Sequence, residues 1–390
     1  MATYPIALVE GDGAAPEMMA QAIRIAQAAA NTFGDQLQWH QTPAGWNAWE
    51  RYGDTMPAVS LERILNIGTV FFGGVGDPVL DSTLGAQHPQ MRPEARCLLA
   101  IREQMGLLLN YRPAVYRKSL QHLALVRPEM IPDEGIAQLW IRFLLEDSYF
   151  GNPDFLSGKH GAKAREAAET IGAKLKHDVT GNEEWVVDIA YYQKATIEQY
   201  VRAAFMEAWA RKLPVISIDK ANVMSRYLYW RTIVTRIGAE EFPDVKLMHQ
   251  LVDSGNMLLF TPQKLHGVIV CGNEHGDILS DGALAALGGM GLMHSSAINP
   301  VTRAAMFESG AGTAPTLAGQ DIANPLGRIL TGGMMLRHLG MVSAAQRIED
   351  AVWRILDAGY RTSDLTGIDT PADKIVGTTG MGDLVMEALQ

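Results

Sequence analysis

The feature that most limits how this chain can fold is its alternation of short apolar, β-rich runs with longer stretches of helical periodicity. Strand candidates are Pro5–Val9, Thr69–Gly73, His122–Val126, Leu139–Leu144, Val215–Asp219, Lys246–Val252 and Gly267–Cys271. Each is short, and most are flanked by a polar residue or a glycine. Between them, apolar residues recur every three or four positions. Met19, Ile23, Ala26, Ala30 and Phe33 follow Pro16, which suits a first helical turn because the N–H it lacks would find no partner there. Ile197, Val201, Ala204 and Ala208 make a second such face, and Ala344, Ile348, Ala351 and Ile355 a third. Strands separated by helices predict an α/β protein with much parallel sheet. At 390 residues there is chain enough for two domains with insertions. One stretch breaks the rhythm. Gly151–Glu184 is rich in Lys, Ala, Gly, Glu and Asp and poor in bulky apolar residues, and reads either as a protruding arm or as a solvated surface loop.

Charge narrows the partners. The chain carries 33 Lys and Arg against 43 Asp and Glu, a formal net charge of −10, with no basic block. That argues against nucleic acid and anionic membrane surfaces. No apolar run reaches the roughly 18 residues of a membrane span. The 2 cysteines, Cys97 and Cys271, cannot build a disulfide framework or a four-cysteine zinc site, and fit a reducing compartment. The start of the chain has no basic region followed by an apolar one, so the expectation is a cytoplasmic enzyme.

Five motifs carry possible chemistry. Gly11-Asp12-Gly13-Ala14-Ala15-Pro16 is a tight turn from strand to helix, and it fails the dinucleotide fingerprint because Pro16 stands where a third glycine belongs. In Gly272-Asn273-Glu274-His275-Gly276-Asp277-Ile278-Leu279-Ser280-Asp281, the two aspartates lie four apart and share one helix face. Like charges so placed repel, and a hard cation such as Mg²⁺ or Mn²⁺ relieves them; two solvated first-turn acids are the plainer alternative. Lys220, in Ser217-Ile218-Asp219-Lys220-Ala221-Asn222, ends an apolar strand, where a partly desolvated lysine suits a general base and a surface lysine is the ordinary case. Arg102, Arg112 and Arg142 suit carboxylate binding, and Arg142 sits inside an apolar run where a lone charge needs a partner. Glu308-Ser309-Gly310-Ala311-Gly312-Thr313-Ala314-Pro315, leading to Asp321-Ile322-Ala323-Asn324-Pro325, is small enough for a ligand to lie against its backbone.

In this order, the motifs resemble the β-decarboxylating dehydrogenases, which include isopropylmalate, isocitrate, homoisocitrate, tartrate and D-malate dehydrogenases. The resemblance runs from the GDG turn to Met334-Met335-Leu336-Arg337 and is closest in pattern to the isopropylmalate enzymes. It implies their two-domain α/β fold, which is not a Rossmann fold. A large domain would comprise 1–107 and 288–390. A central domain, 108–287, would carry the dimer interface and an arm around 151–184. It implies that Arg102, Arg112 and Arg142 clamp the malate carboxylates, that Tyr149 is the proton donor and that Lys220 is the base for the substrate hydroxyl. Metal ligands would be Asp253, Asp277 and Asp281. Lys220 and Asp253 would reach in from the second subunit of a homodimer. Asn222 and Glu308 match residues near the nicotinamide, Gly312, Thr313 and Ala314 fall in the cofactor loop, and Asn324 matches an adenine contact. The implied reaction is metal-dependent oxidative decarboxylation of a 3-substituted malate with hydride transfer to NAD.

Two places depart from the pattern. Leu98-Leu99-Ala100 offers an apolar wall where isocitrate enzymes place a serine, as isopropylmalate enzymes do, although tartrate and D-malate enzymes also carry the leucine pair there. One residue more than usual separates Arg92-Pro93-Glu94 from Leu98. In the cofactor loop Ala311 replaces the usual histidine, and Thr316-Leu317 offers neither the aspartate of NAD enzymes nor the basic pair of NADP enzymes. The alternatives are a tartrate or D-malate dehydrogenase, and a degenerate relative with a binding or regulatory role.

Overall fold

In the computed structural model the described residues are 2–133, 135–150 and 190–390; the arm expected at Gly151–Glu184 lies outside them. Their strands are β1 (Thr3–Val9), β2 (Gln36–Gln41), β3 (Thr69–Phe72), β4 (Leu109–Val115), β5 (Ala137–Phe143), β6 (Val215–Asp219), β7 (Leu247–Leu251), β8 (Gly267–Cys271), β9 (His294–Ile298) and β10 (Ala305–Ser309). They form one ten-stranded sheet in the order β2-β1-β3-β10-β9-β4-β5-β8-β6-β7. Both flanks are parallel, as the alternation of strands and helices predicts. The middle is antiparallel, through β10–β9, β9–β4 and β4–β5. The longer helices are α1 (Ala15–Thr32), α2 (Ala58–Ile67), α3 (Lys194–Arg211), α4 (Ser225–Glu241), α5 (Asn273–Ala286), α6 (Leu326–His338), α7 (Val342–Asp357) and α8 (Thr378–Ala388).

The predicted helix faces pack inward. Met19, Ala26 and Ala30 of α1 are buried against α6, α7 and α8, while Ile23 is half-buried and Phe33, just past the helix, is exposed. Ile197, Val201, Ala204 and Ala208 of α3 are all buried beside Trp230 of α4. One strand expectation is wrong. His122–Val126 is not a strand; it begins in a 3-10 turn over Lys118–Leu123 and continues as loop. Both edges of β5, the strand that follows the segment, are already taken by β4 and β8. His122 instead contacts the Leu365 carbonyl oxygen at 3.0 Å, and Leu125 is exposed.

The apolar interior divides along the chain. Two clusters draw almost wholly on residues before 108 and after 288. Two others draw on residues between. The GDG turn welds the first of these regions at its mouth. Gly11 has φ +87°, and a Cβ there would overlap the Gly74 carbonyl oxygen. Asp12, buried beside it, accepts backbone N–H bonds from Trp46 (3.0 Å), Asn47 (2.9 Å) and Gly76 (2.8 Å). Burial raises its carboxyl from the ordinary range against the pull of those three donors. Gly11→Ala is expected to destabilise the protein by about 3 kcal/mol, because strain and overlap add. Gly53→Ala, left-handed at φ +62° but facing open space, is expected to cost about 1 kcal/mol. Denaturant midpoints of the two variants check the difference.

Candidate active site

The antiparallel centre of the sheet creates the site. On β4 and β5, Asn110 stands opposite Arg142 and Arg112 opposite Trp140, so the two arginines lie diagonally on one face. β8 borders β5 on the other side, and α5 starts two residues beyond it. The helix then crosses directly over Arg142. Gly276 permits that crossing, since a Cβ there would stand 2.9 Å from Arg142 Cγ.

Asp277 meets both arginines. It is ion-paired with Arg142, lies 3.0 Å from Arg112 Nη2, and accepts a hydrogen bond from the Tyr149 hydroxyl at 3.1 Å. One turn on, Asp281 accepts from Arg112 Nη1 at 2.8 Å. The expected pair of aspartates on one helix face is therefore present, and both are joined to the arginines. Burial works to raise the Asp277 carboxyl, but Arg142 and Arg112 outweigh it and hold it below its usual range. At Asp281 burial wins over Arg112 and the carboxyl is raised. Arg142 is pushed down by burial and by Arg112, against the attraction of Asp277. Tyr149 is half-exposed, its hydroxyl pushed up by burial and by Asp277, and its ring lies 5.2 Å from the Arg142 guanidinium carbon. Arg102, on the short helix Ala100–Gln104, pairs with Glu308 at the end of β10 at 3.2 Å, and its buried Nε has no partner.

Three neutral side chains hold the charged ones; Asn273 and Ser280 lie within the Gly272–Asp281 motif without a role assigned to them there, and Asn110 lies outside every motif. Asn110 accepts from Arg112 Nε at 2.8 Å, Asn273 accepts from Arg142 Nε at 2.8 Å, and Ser280 accepts from Arg112 Nη1 at 2.9 Å. Asn110 stands two residues before Arg112 on a strand, and that period-2 spacing was its only sequence cue. Asp147, with φ +63° and wholly buried, accepts from the Tyr192 hydroxyl at 2.6 Å and fixes the backbone just before Tyr149.

Lys220 and Asp253 form a second group. β6 ends at buried Asp219, which Arg231 holds at 2.7 Å, and Lys220 follows. Its ammonium is ion-paired with Asp253, on the short helix after β7. Asn222, two residues on, is exposed. Within one chain, no three His, Cys, Asp or Glu side chains among the described residues converge as a metal site, so Asp253 does not join Asp277 and Asp281 there. His275 stacks on Tyr227 at 4.8 Å, and burial lowers its pKa. Burial drives both cysteine thiols up to about 12, which keeps them protonated and inert.

The small-residue loop after β10 docks on the GDG turn. The Thr313 carbonyl accepts from Ala14 N at 2.8 Å, its hydroxyl donates to the Gly76 carbonyl at 2.8 Å, and Ala314 is left-handed at φ +43°. Gly312 is exposed with open space over its Cα. Asn324 accepts from Leu326 N at 2.9 Å at the start of α6 and donates to Asp364 at 2.9 Å. Leu98 and Leu99 are half-buried at the end of a π-helix, Glu94–Leu99, anchored by buried Cys97. The segment between Pro93 and Ala100 thus closes as wide turns. Leu98 and Leu99 then lie one turn before Arg102, on its face.

The model of the isocitrate/isopropylmalate dehydrogenases matches residues 5–385. The chain belongs to that family. A 3-isopropylmalate dehydrogenase of Desulfotalea psychrophila is 36% identical over 385 residues, covering 98% of this chain and 99% of that protein. The corresponding enzyme of Haemophilus influenzae is 35% identical over 390 residues, 100% of each. Among solved structures, the isocitrate dehydrogenase of Methylococcus capsulatus superposes with TM-score 0.77 at 28% identity over 99% of both chains. A β-decarboxylating dehydrogenase of Thermococcus kodakarensis gives 0.73 at 26% identity, covering 99% of this chain and 96% of that one. As an isocitrate/isopropylmalate dehydrogenase family member, the protein is an oxidoreductase of the kind that oxidises and decarboxylates a hydroxy acid. No helix among its described residues is long and apolar enough to cross a membrane.

The arginine pair gives a pH test. Because its folded pKa is depressed, Asp277 contributes stability above the unfolded carboxylate value of about 4, and that contribution is lost as pH falls through the depressed value. Asp277→Asn is expected to destabilise the protein by about 3 kcal/mol at neutral pH, leaving Arg142 buried without its partner. The gap from the parent should close as pH falls below 4, read from denaturant midpoints across that range.

Proposed function

We propose that this protein oxidises and decarboxylates a 3-substituted malate, with an apolar substituent at C3, using NAD and a divalent cation. The observation that carries the reading is the single cluster of Arg112, Arg142, Tyr149, Asp277 and Asp281, with Arg102 paired to Glu308 beside the Leu98-Leu99 turn. Arginines suit a dicarboxylate, and the orphaned Nε of Arg102 is a donor to spare. The leucines offer nothing to solvate a third carboxylate. The donor set fits a hard cation: Asp277 and Asp281 would supply two carboxylates on one face, and Asp253 a third from a partner subunit. The loop over Gly312–Ala314 fits a cofactor lying against bare backbone, and the absence of a basic residue at Thr316-Leu317 favours NAD over NADP.

In this reading the arginines bind and orient the two malate carboxylates. Lys220 of one subunit takes the C2 hydroxyl proton at the site of the other. Tyr149 returns a proton to the carbon that loses CO₂, with its hydroxyl already held at the site by Asp277. Asp277 and Asp281, with Asp253 of the partner subunit, would hold a cation that would supply Lewis-acid charge, and the Gly312–Ala314 loop would hold NAD, which would supply the hydride acceptor. Exposed Val223, Leu228, Met257, Phe260 and Ile278, lying around Lys220, Asp253 and Asp277 in sequence, support a homodimer that buries them. The separate apolar clusters support the division into 1–107 with 288–390 and 108–287 as domains. Two buried, unreactive thiols agree with a cytoplasmic setting.

The decisive assay is NADH and NADPH formation with Mg²⁺ or Mn²⁺ on 3-isopropylmalate, bulkier 3-substituted malates, isocitrate, D-malate and tartrate. Preference for an apolar substituent is the expected result. Preference for D-malate or tartrate would replace the substrate, and silence across the panel from a folded dimer would leave a binding or regulatory relative. Lys220→Met should lower kcat by about a thousandfold and Tyr149→Phe by about a hundredfold. Neither Lys220→Met nor Asp277→Asn alone should retain turnover, but co-refolded together they should regain about a quarter of parental activity, because half the dimers then own one complete site. No recovery would place Lys220 and Asp277 of one site on the same chain.

A further inference from the structure

Arg328 is the third residue of α6, fully buried, and no carboxylate among the described residues lies within ion-pair distance of it. Its Nη2 donates to three backbone carbonyls: that of Gly73 at the end of β3, and those of Ala311 and Gly312, each at 3.3 Å. Nη1 reaches only the Met18 sulfur at 3.3 Å, and Nε has no partner. Burial pushes the guanidinium down to about 10, and the one negative charge acting on it is Glu308, which Arg102 already holds. An unpaired buried cation is costly, and an apolar side chain of similar size would be cheaper.

What the arginine does to the loop explains its presence. The peptides of the described residues are trans, so a carbonyl and the N–H of the next residue point opposite ways. Drawing the Ala311 and Gly312 carbonyls inward therefore turns the N–H groups of Gly312 and Thr313 outward. Neither N–H has an acceptor among the described residues, and Gly312 is exposed on its open side. Two adjacent donors on one side of a loop, over a buried positive charge, make a seat for an anion. We propose that Arg328 is a positioning residue that fixes the backbone polarity of the Ala311–Ala314 loop, and that the anion seated on it is a phosphate of the dinucleotide. This rests on the NAD-dependent reading above. It offers a physical answer to the altered loop, where Ala311 and Thr316 supply no polar side-chain hold of the kind the family pattern carries.

The test is NAD binding to the intact protein by titration calorimetry, with hydrogen exchange of the 310–318 segment with and without NAD. Arg328→Met should raise Kd for NAD about tenfold or more. It should also abolish NAD-induced protection of that segment, with a thermal midpoint equal to or above the parent's. KM for NAD should rise more than kcat falls. Arg328→Lys, which keeps the charge on a shorter stem that stops short of the Nη2 position, should fall between, and it decides the matter should the methionine variant fail to fold. NAD affinity within twofold of the parent in a folded variant overturns the assignment and makes Arg328 a packing residue. A parent that binds neither NAD nor NADP overturns the dinucleotide reading itself, and this one with it.

Discussion

Everything at the centre of this molecule is arranged around one carboxylate held between two guanidinium groups. Asp277 faces Arg142, which is almost inaccessible to solvent, and Arg112, which it shares with Asp281. Two cations this close repel, and both are partly desolvated, so the cluster persists only because the acids on α5 and the amide oxygens of Asn110 and Asn273 meet them. That requirement fixes the register of β4 on β5, the start of α5 directly after β8, and a glycine where helix and arginine touch. The antiparallel middle of the sheet follows from the same need. Only there do two adjacent strands present arginines diagonally to the N-terminal turns of a neighbouring helix.

Most of this layout was legible in the sequence, and for identifiable reasons. The parallel flanks have apolar strands bounded by glycine and polar residues, and helices with clear faces, so periodicity finds them. Four strands escape it: β10, Ala-Met-Phe-Glu-Ser, which is apolar but only five residues long, and three whose composition hides them. β2 is Gln-Leu-Gln-Trp-His-Gln, an edge strand with one buried residue, and β9 is a short run of serines and alanine between antiparallel neighbours. β4 carries Asn, Tyr, Arg and Pro because it lines the charged cluster. His122–Val126 fails for the complementary reason: its composition suits a strand, but β5, which follows it, is already paired on both sides. Charged site residues are readable because a charge inside an apolar run demands an explanation, as at Arg142. Neutral partners such as Asn110 and Ser280 make no such demand. Arg328 was also passed over, since an arginine early in a helix looks like a surface residue until the packing buries it.

The two ends of the candidate site are held by different means. At one end, side-chain charges meet side-chain charges, and the arrangement can respond to pH and to a bound cation. At the other, the loop between β10 and α6 is fixed through its backbone, by the GDG turn on one side and by a guanidinium on the other. A site anchored by main-chain geometry tolerates change in its side chains. That is compatible with a loop whose side chains, Ala311 and Thr316 among them, are small.

The wide turn at Glu94–Leu99 has a consequence for how the chain before Arg102 can vary. A residue inserted into an α-helix rotates everything before it by about 100° relative to everything after. A turn closed one residue wider absorbs the insertion locally, so the segments on either side keep their mutual orientation. Such a turn behaves as a phase buffer. Length can change between Arg92 and Leu98 while Arg102 stays aimed at Glu308, so the segment before the leucine pair can be rebuilt without disturbing that ion pair.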